Sequence, residues 1–119
     1  MKVAVTSKGK TLDSPVDPRF GRAAYILIVD TENFTYEVLD NSENVNAFKG
    51  AGIQAATMIG DKDVKALLTG FCGPNAFKIL NAAHIDVAND ISGTVNDAVR
   101  TFNQGKVTFA DKANVEGHW

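Results

Sequence analysis

From residue 50 onward the apolar residues alternate between helical and strand spacing, and that alternation leaves few folds open. Gly52, Ala55, Ala56 and Ile59 fall at i, i+3, i+4 and i+7, one face of a helix. Val64 to Thr69 reads as a buried strand. Pro74 opens a second helix with Ala76, Ile79, Leu80 and Ala83 on one face, and Ile85 to Ala88 is a short strand. A third helix after Thr94 presents Val95, Ala98, Val99 and Phe102. Thr94 with Asp97 three residues on is a capping-box variant, and Gly105 is a C-terminal stop. Strands separated by helices in this way pair in parallel through crossovers.

The first half has a different character. Lys2 to Thr6, with β-branched Val3 and Val5, predicts a short buried strand, and Ala24 to Asp30 predicts a second. Thr31-Glu32-Asn33 turns the chain and Phe34 to Leu39 returns it, an antiparallel hairpin. The predicted order is β-β-β-α-β-α-β-α: an α/β fold with a mixed five-stranded sheet and helices on both faces. Lys106 to Trp119 gives no clear element.

With 119 residues, 45% of them hydrophobic and 22% charged, the chain fits a single domain, 1–119, with an ordinary core. A net charge of −2 argues against broad nucleic-acid binding, which needs a basic face. No apolar run approaches the roughly 18 residues of a membrane-spanning helix, and the first five residues are too few for a signal-peptide core. One cysteine, Cys72, permits no intrachain disulfide, so a reducing, cytoplasmic setting is expected.

In an open α/β sheet, ligands bind beyond the carboxyl ends of the parallel strands. Three loops are expected there. The long polar loop from Ser7 to Gly21 carries Arg19-Phe20-Gly21-Arg22, whose guanidiniums offer several donors to a multiply charged anion. A solvated loop with a surface ion pair would have the same composition. Thr69-Gly70-Phe71-Cys72-Gly73-Pro74-Asn75 feeds a helix with proline in its first turn, where free N–H groups and the helix dipole favour an anion. Ile91-Ser92-Gly93-Thr94 repeats that arrangement. Ordinary strand-to-helix turns look alike, so both readings stay open.

The metal-ligand inventory is thin. Cys72, His84 and His118 are the only thiol and imidazole groups, too few for a tetrahedral zinc site or a four-cysteine iron–sulfur site within one chain. Any cluster must bring its own sulfide or be shared between chains. A helix N-terminus would lower the Cys72 pKa and favour its thiolate, whereas burial would make it a small hydrophobe. His84 reads as structural and His118 as part of the tail. No nucleophile elbow, phosphate-binding loop or dinucleotide fingerprint appears. A two-metal nuclease would need clustered carboxylates on central strands, but the first strand has none and Asp30 only ends the second.

These same stretches carry a resemblance. Met1 to Ser7, Asp17-Pro18-Arg19-Phe20-Gly21-Arg22-Ala23, Gly50 to Ala56, Thr69-Gly70, Gly73 to Phe77, Gly93-Thr94-Val95 and Asn114 to Trp119 together resemble the dinitrogenase iron–molybdenum cofactor biosynthesis family across essentially the whole chain. The resemblance implies a ribonuclease-H-like fold that binds and transfers metal–sulfur clusters, without catalysis. Among its small stand-alone members it implies a molybdenum–copper sulfide cargo, with an iron–molybdenum or iron–sulfur precursor as the alternative. Partner proteins for delivery or regulation would follow, and a regulatory interaction module without metal is a further alternative. Carried over by position, Arg19 and Arg22 would neutralise the cluster. Ser7, Gly21, Gly70, Gly73, Asn75, Ser92, Gly93 and Thr94 would line or donate to it. Phe20 and Phe71 would exclude water, and Cys72 would ligate or orient a metal edge.

Overall fold

The structure, a computed structural model, describes residues 1–45 and 50–110. His118 and the 114–119 stretch of the family resemblance lie outside the described residues. The elements run β1 (Lys2–Ser7), β2 (Tyr25–Asp30), β3 (Tyr36–Asp40), α1 (Ser42–Val45), α2 (Ala51–Gly60), β4 (Ala66–Leu68), α3 (Pro74–Ala82), β5 (Asp86–Ala88) and α4 (Val95–Asn103). The sheet order is β3-β2-β1-β4-β5. β1 pairs antiparallel with β2 and parallel with β4, β2 pairs antiparallel with β3, and β4 pairs parallel with β5. This is the expected mixed sheet, with β1 at its centre.

The period-2 pattern sorts the core into two layers. Ala4, Ile26, Ile28, Leu67 and Val87 face one way and pack with Ala55, Ala56, Ile59, Ala76 and Leu80 of α2 and α3. Val3, Val5, Leu27, Val29, Leu68 and Ala88 face the other way and pack with Val95, Ala98 and Val99 of α4. Helices therefore cover both faces. The α2–α3 contact is tight because its residues are small: a Cβ on Gly52 would lie 3.2 Å from the Ala76 Cβ.

Several boundaries differ from expectation, each for a local reason. Phe34 adopts φ 59° and closes the β2–β3 turn, its N–H donating to the Asp30 carbonyl at 2.9 Å, so β3 starts at Tyr36. The one-turn helix α1 was not expected, because four residues are too few to show a period. It starts where the Ser42 N–H donates to the Asp40 carboxylate at 2.8 Å. Hydrogen bonds from the Ser42 hydroxyl and N–H hold that carboxyl below the usual carboxylate range. Ala83 is not on the core face of α3; it is the exposed C-cap residue. The Thr94–Asp97 capping box is present, and Gly105 takes φ 69° just beyond α4. Past it, Phe109 bridges Ala88 antiparallel, and the Ala110 N–H donates to the Val87 carbonyl. This covers part of the β5 edge where no element was expected.

Candidate functional site

The long loop between β1 and β2 divides at Val16, and its halves do different work. The first half closes the start of α4. Val16 N–H donates to the Gly93 carbonyl, Val95 N–H to Ser14, and Asn96 N–H to Leu12, each at 2.9 Å. Asp97 N–H donates to Thr94 Oγ1 at 3.1 Å, and Thr94 N–H donates back to the Asp97 carboxylate at 3.2 Å. The first-turn donors of a helix usually attract anions because they lack partners. Here the chain's own groups use them.

The second half of the loop lies along the turn between β4 and α3. Phe71 N–H donates to the Pro18 carbonyl at 2.8 Å and Phe20 N–H to the Phe71 carbonyl at 3.3 Å, a short parallel bridge. A Cβ on Gly70 would fall 2.5 Å from the Pro18 oxygen, so only glycine permits that approach. Asp17 is buried and receives the Arg19 N–H at 3.0 Å, with Arg19 Nε 3.6 Å from the same oxygen. That pairing orients the Arg19 guanidinium and offsets part of its charge, while 48% of the side chain stays exposed.

Loop, α2 and α3 enclose a pocket of about 90 Å³. Arg19, Phe20, Gly21 and Arg22 form one wall, Gly50 to Ile53 the second, and Phe71 and Gly73 to Ala76 the third. The last two walls are helix starts. Gly50 and Gly73 are the N-cap residues of α2 and α3, and neither supplies a capping side chain. Pro74 has no N–H, and the next bond closed within α3 is Phe77 N–H to the Gly73 carbonyl. The pocket thus receives the positive ends of two helix dipoles and two arginines. A near-surface dipole end favours a negative charge by about 0.3–1 kcal/mol. A charge-assisted hydrogen bond adds about 1.5–3 kcal/mol.

Of the expected site residues, Arg19, Phe20, Gly21, Arg22, Phe71, Gly73 and Asn75 line this pocket. The others lie elsewhere. Ser7 is buried and its hydroxyl donates to the Gly9 carbonyl at 2.7 Å. Gly70 packs on Pro18. Gly93 and Thr94 are engaged by the first half of the loop, and Ser92 borders a separate polar cavity of about 350 Å³ beside α4. For Cys72 the sequence left a thiolate and a buried small hydrophobe open, and the structure shows the buried side chain. Its side chain is 1% exposed among Phe20, Ala76 and the rest of the α2–α3 core, with Sγ 3.6 Å from the Gly73 carbonyl. Burial pushes the thiol up to about 12, whereas a helix start by itself would lower it. Desolvation wins because the side chain points into the core.

Among the described residues, no group of three or more His, Cys, Asp and Glu side chains comes together to hold a metal ion. His84 is exposed in the turn after α3 with φ 61°. Asp30 pairs with Lys2 at the opposite end of β1 from the pocket. The Glu32 N–H, at 2.9 Å, holds its carboxyl below the usual range. The start of α2 was not among the site residues expected from sequence. Gly50-Ala51-Gly52 is its signal: two glycines at a helix start leave donors uncapped and let another segment approach. Among the described residues, no helix is long and apolar enough to cross a membrane.

Comparison with known proteins agrees with this architecture. The family model described as dinitrogenase iron–molybdenum cofactor matches residues 1–105. The apo form of the orange protein from Desulfovibrio gigas superposes with a TM-score of 0.92 at 43% identity, covering 96% of each chain. A Thermotoga protein provisionally named NifB gives a TM-score of 0.79 at 37% identity, covering 91% of each. An uncharacterised protein of Methanocaldococcus jannaschii is 27% identical over 110 residues, 90% of this chain and 89% of its own.

Proposed function

Because the chain belongs to the dinitrogenase iron–molybdenum cofactor family, we propose that it binds and carries an anionic metal–sulfur cluster in the pocket between the loop, α2 and α3. The observation that supports this most is the convergence of two glycine-capped helix starts and two arginines on one cavity. Such a site recognises charge and shape, and among the described residues no group of three or more His, Cys, Asp and Glu side chains stands there to ligate a metal. The only cysteine near it is buried and protonated at neutral pH, so the cluster arrives with its metals already ligated by sulfide. A molybdenum–copper sulfide anion satisfies that condition, and it is the cargo implied by the sequence resemblance. An iron–molybdenum or iron–sulfur precursor is the alternative. Phe20 and Phe71 shield the labile sulfides from water. The role is carriage, with delivery to protein partners in a reducing cytoplasm, and the whole chain acts as one domain.

The test is anaerobic reconstitution of the purified protein with tetrathiomolybdate, with and without copper, and in parallel with iron–sulfur and iron–molybdenum species, followed by gel filtration, absorption spectra and metal analysis. A copper-dependent chromophore co-eluting in fixed ratio with the protein is the expected result. Retention of iron–sulfur or iron–molybdenum species alone would replace the cargo. Retention of none of them would remove the carrier function. Arg19→Ala with Arg22→Ala should weaken binding by about 100-fold, one tenfold step per charge-assisted contact. Unchanged affinity in the double variant would remove the charge clamp.

A further inference from the structure

Two asparagines that no motif singles out are tied to the loop that forms one wall of the pocket. Asn41, between β3 and α1, is 1% exposed and Asn44 is 3% exposed. Amides buried this deeply need partners, and theirs converge on the loop. Asn41 Nδ2 donates to the Gly21 carbonyl at 3.1 Å and to the Ala23 carbonyl at 2.8 Å. Its backbone N–H donates to the Ala24 carbonyl at 2.9 Å. Asn41 Oδ1 accepts from Asn44 Nδ2 at 2.6 Å, which fixes which end of the Asn41 amide faces the loop.

Arg22 therefore sits between two carbonyls gripped by one side chain. The segment has no strand or helix of its own here. On its N-terminal side the Phe71 bridge holds it, and on its C-terminal side Asn41 does. Between these ties, Gly21 presses on the first turn of α2, where its missing Cβ would lie 2.5 Å from the Gly52 nitrogen.

We infer that Asn41, oriented by Asn44, is a positioning residue for the anion pocket. It holds the 21–24 carbonyls so that Gly21 seats on α2 and Arg22 stands at the pocket wall. Asparagine is required because one NH₂ group supplies two donors to the loop while its oxygen remains for Asn44. The inference rests on the pocket being the anion site, but its structural part is measurable without any cluster.

The experiment compares Asn41→Ala, the milder Asn44→Ala, and Val99→Ala in the core beneath α4 as a control for lost stability. Amide hydrogen exchange is followed in the free proteins, and affinity is read with the copper–tetrathiomolybdate species. Both asparagine variants should accelerate exchange in 19–24 and 51–53 by about tenfold or more, with α4 protection unchanged. Affinity should fall about fivefold for Asn44→Ala and further for Asn41→Ala, the size expected for one and then two lost hydrogen bonds. Val99→Ala should leave affinity intact. Uniform acceleration across the chain, or an affinity loss no greater than that of Val99→Ala, would overturn the assignment. If the wild-type protein binds no cluster, the proposed function fails, and the exchange pattern alone decides the positioning role.

Discussion

Replacing Gly21 by alanine would place a Cβ 2.5 Å from Gly52 N, 2.7 Å from Gly52 Cα and 2.8 Å from the Ala51 carbonyl carbon. All three are backbone atoms of the first turn of α2, so no side chain can rotate to make room. Ordinary contact is about 3.5 Å or more, so loop and helix must separate by roughly 1 Å. Overpacking of this kind costs about 1–3 kcal/mol. The upper half applies here, because the helix start is packed against α3 through Gly52 and Ala76. With a urea slope of about 1–3 kcal/mol/M, a loss of about 2 kcal/mol lowers the unfolding midpoint by about 1 M. The same separation moves Arg22 away from the two helix starts, so anion affinity should fall about tenfold. Gly60→Ala supplies the contrast. Gly60 ends the same helix, is exposed, and a Cβ there meets nothing within 4 Å. That variant should be stabilised by up to about 1 kcal/mol through helix propensity. If Gly21→Ala unfolds at the wild-type urea concentration and binds anion as the wild type does, the close approach is not what builds the pocket.

Thr94→Ala should destabilise the protein by about 1 kcal/mol through loss of the capping box, read by urea unfolding, and leave cluster affinity unchanged. A matching loss of affinity would return the α4 start to the binding site. Cys72 should resist iodoacetamide in the folded protein at pH 8 and react only on unfolding; rapid native labelling would contradict its burial. Its raised pKa also has a sign. The unfolded thiol ionises near 9 while the folded one stays protonated to about 12, so its contribution is intact below pH 9 and is lost as pH rises between those values. In that window, wild-type stability should fall by about 1.4 kcal/mol per pH unit more than that of Cys72→Ala. Parallel pH profiles would rule this out.

The layered α/β arrangement was legible in the sequence because it is written in periods. Val3 and Val5 alternate with Ala4, Ala55 and Ala56 recur with Ile59 on one helical face, and Thr94 with Asp97 marks a helix start. Each signal lies within a few residues of the element it specifies. Arg19 and Arg22 could be picked out as anion-binding side chains for a similar reason: the chemistry of a guanidinium does not depend on where the chain goes next.

Other features needed the fold. Both Pro74 and Thr94 begin helices after short strands, and sequence treats them as equivalent. Only the path of residues 12–16 closes one helix start and leaves the other facing a pocket. Cys72 lies beside a helix start in sequence, which would favour the thiolate, but the side chain turns inward and desolvation reverses the sign. Gly52 looks like a helix residue until Gly21, 31 positions earlier, settles against it. Asn41 looks like a turn residue until its amide is seen to hold two carbonyls about 20 residues away in sequence. Periodicity and caps depend on near neighbours, so the sequence by itself determined the elements other than α1 and their layering. Burial, pairing and open donors depend on contacts between distant segments, so only the tertiary structure decided which loops meet and which groups remain available to a ligand.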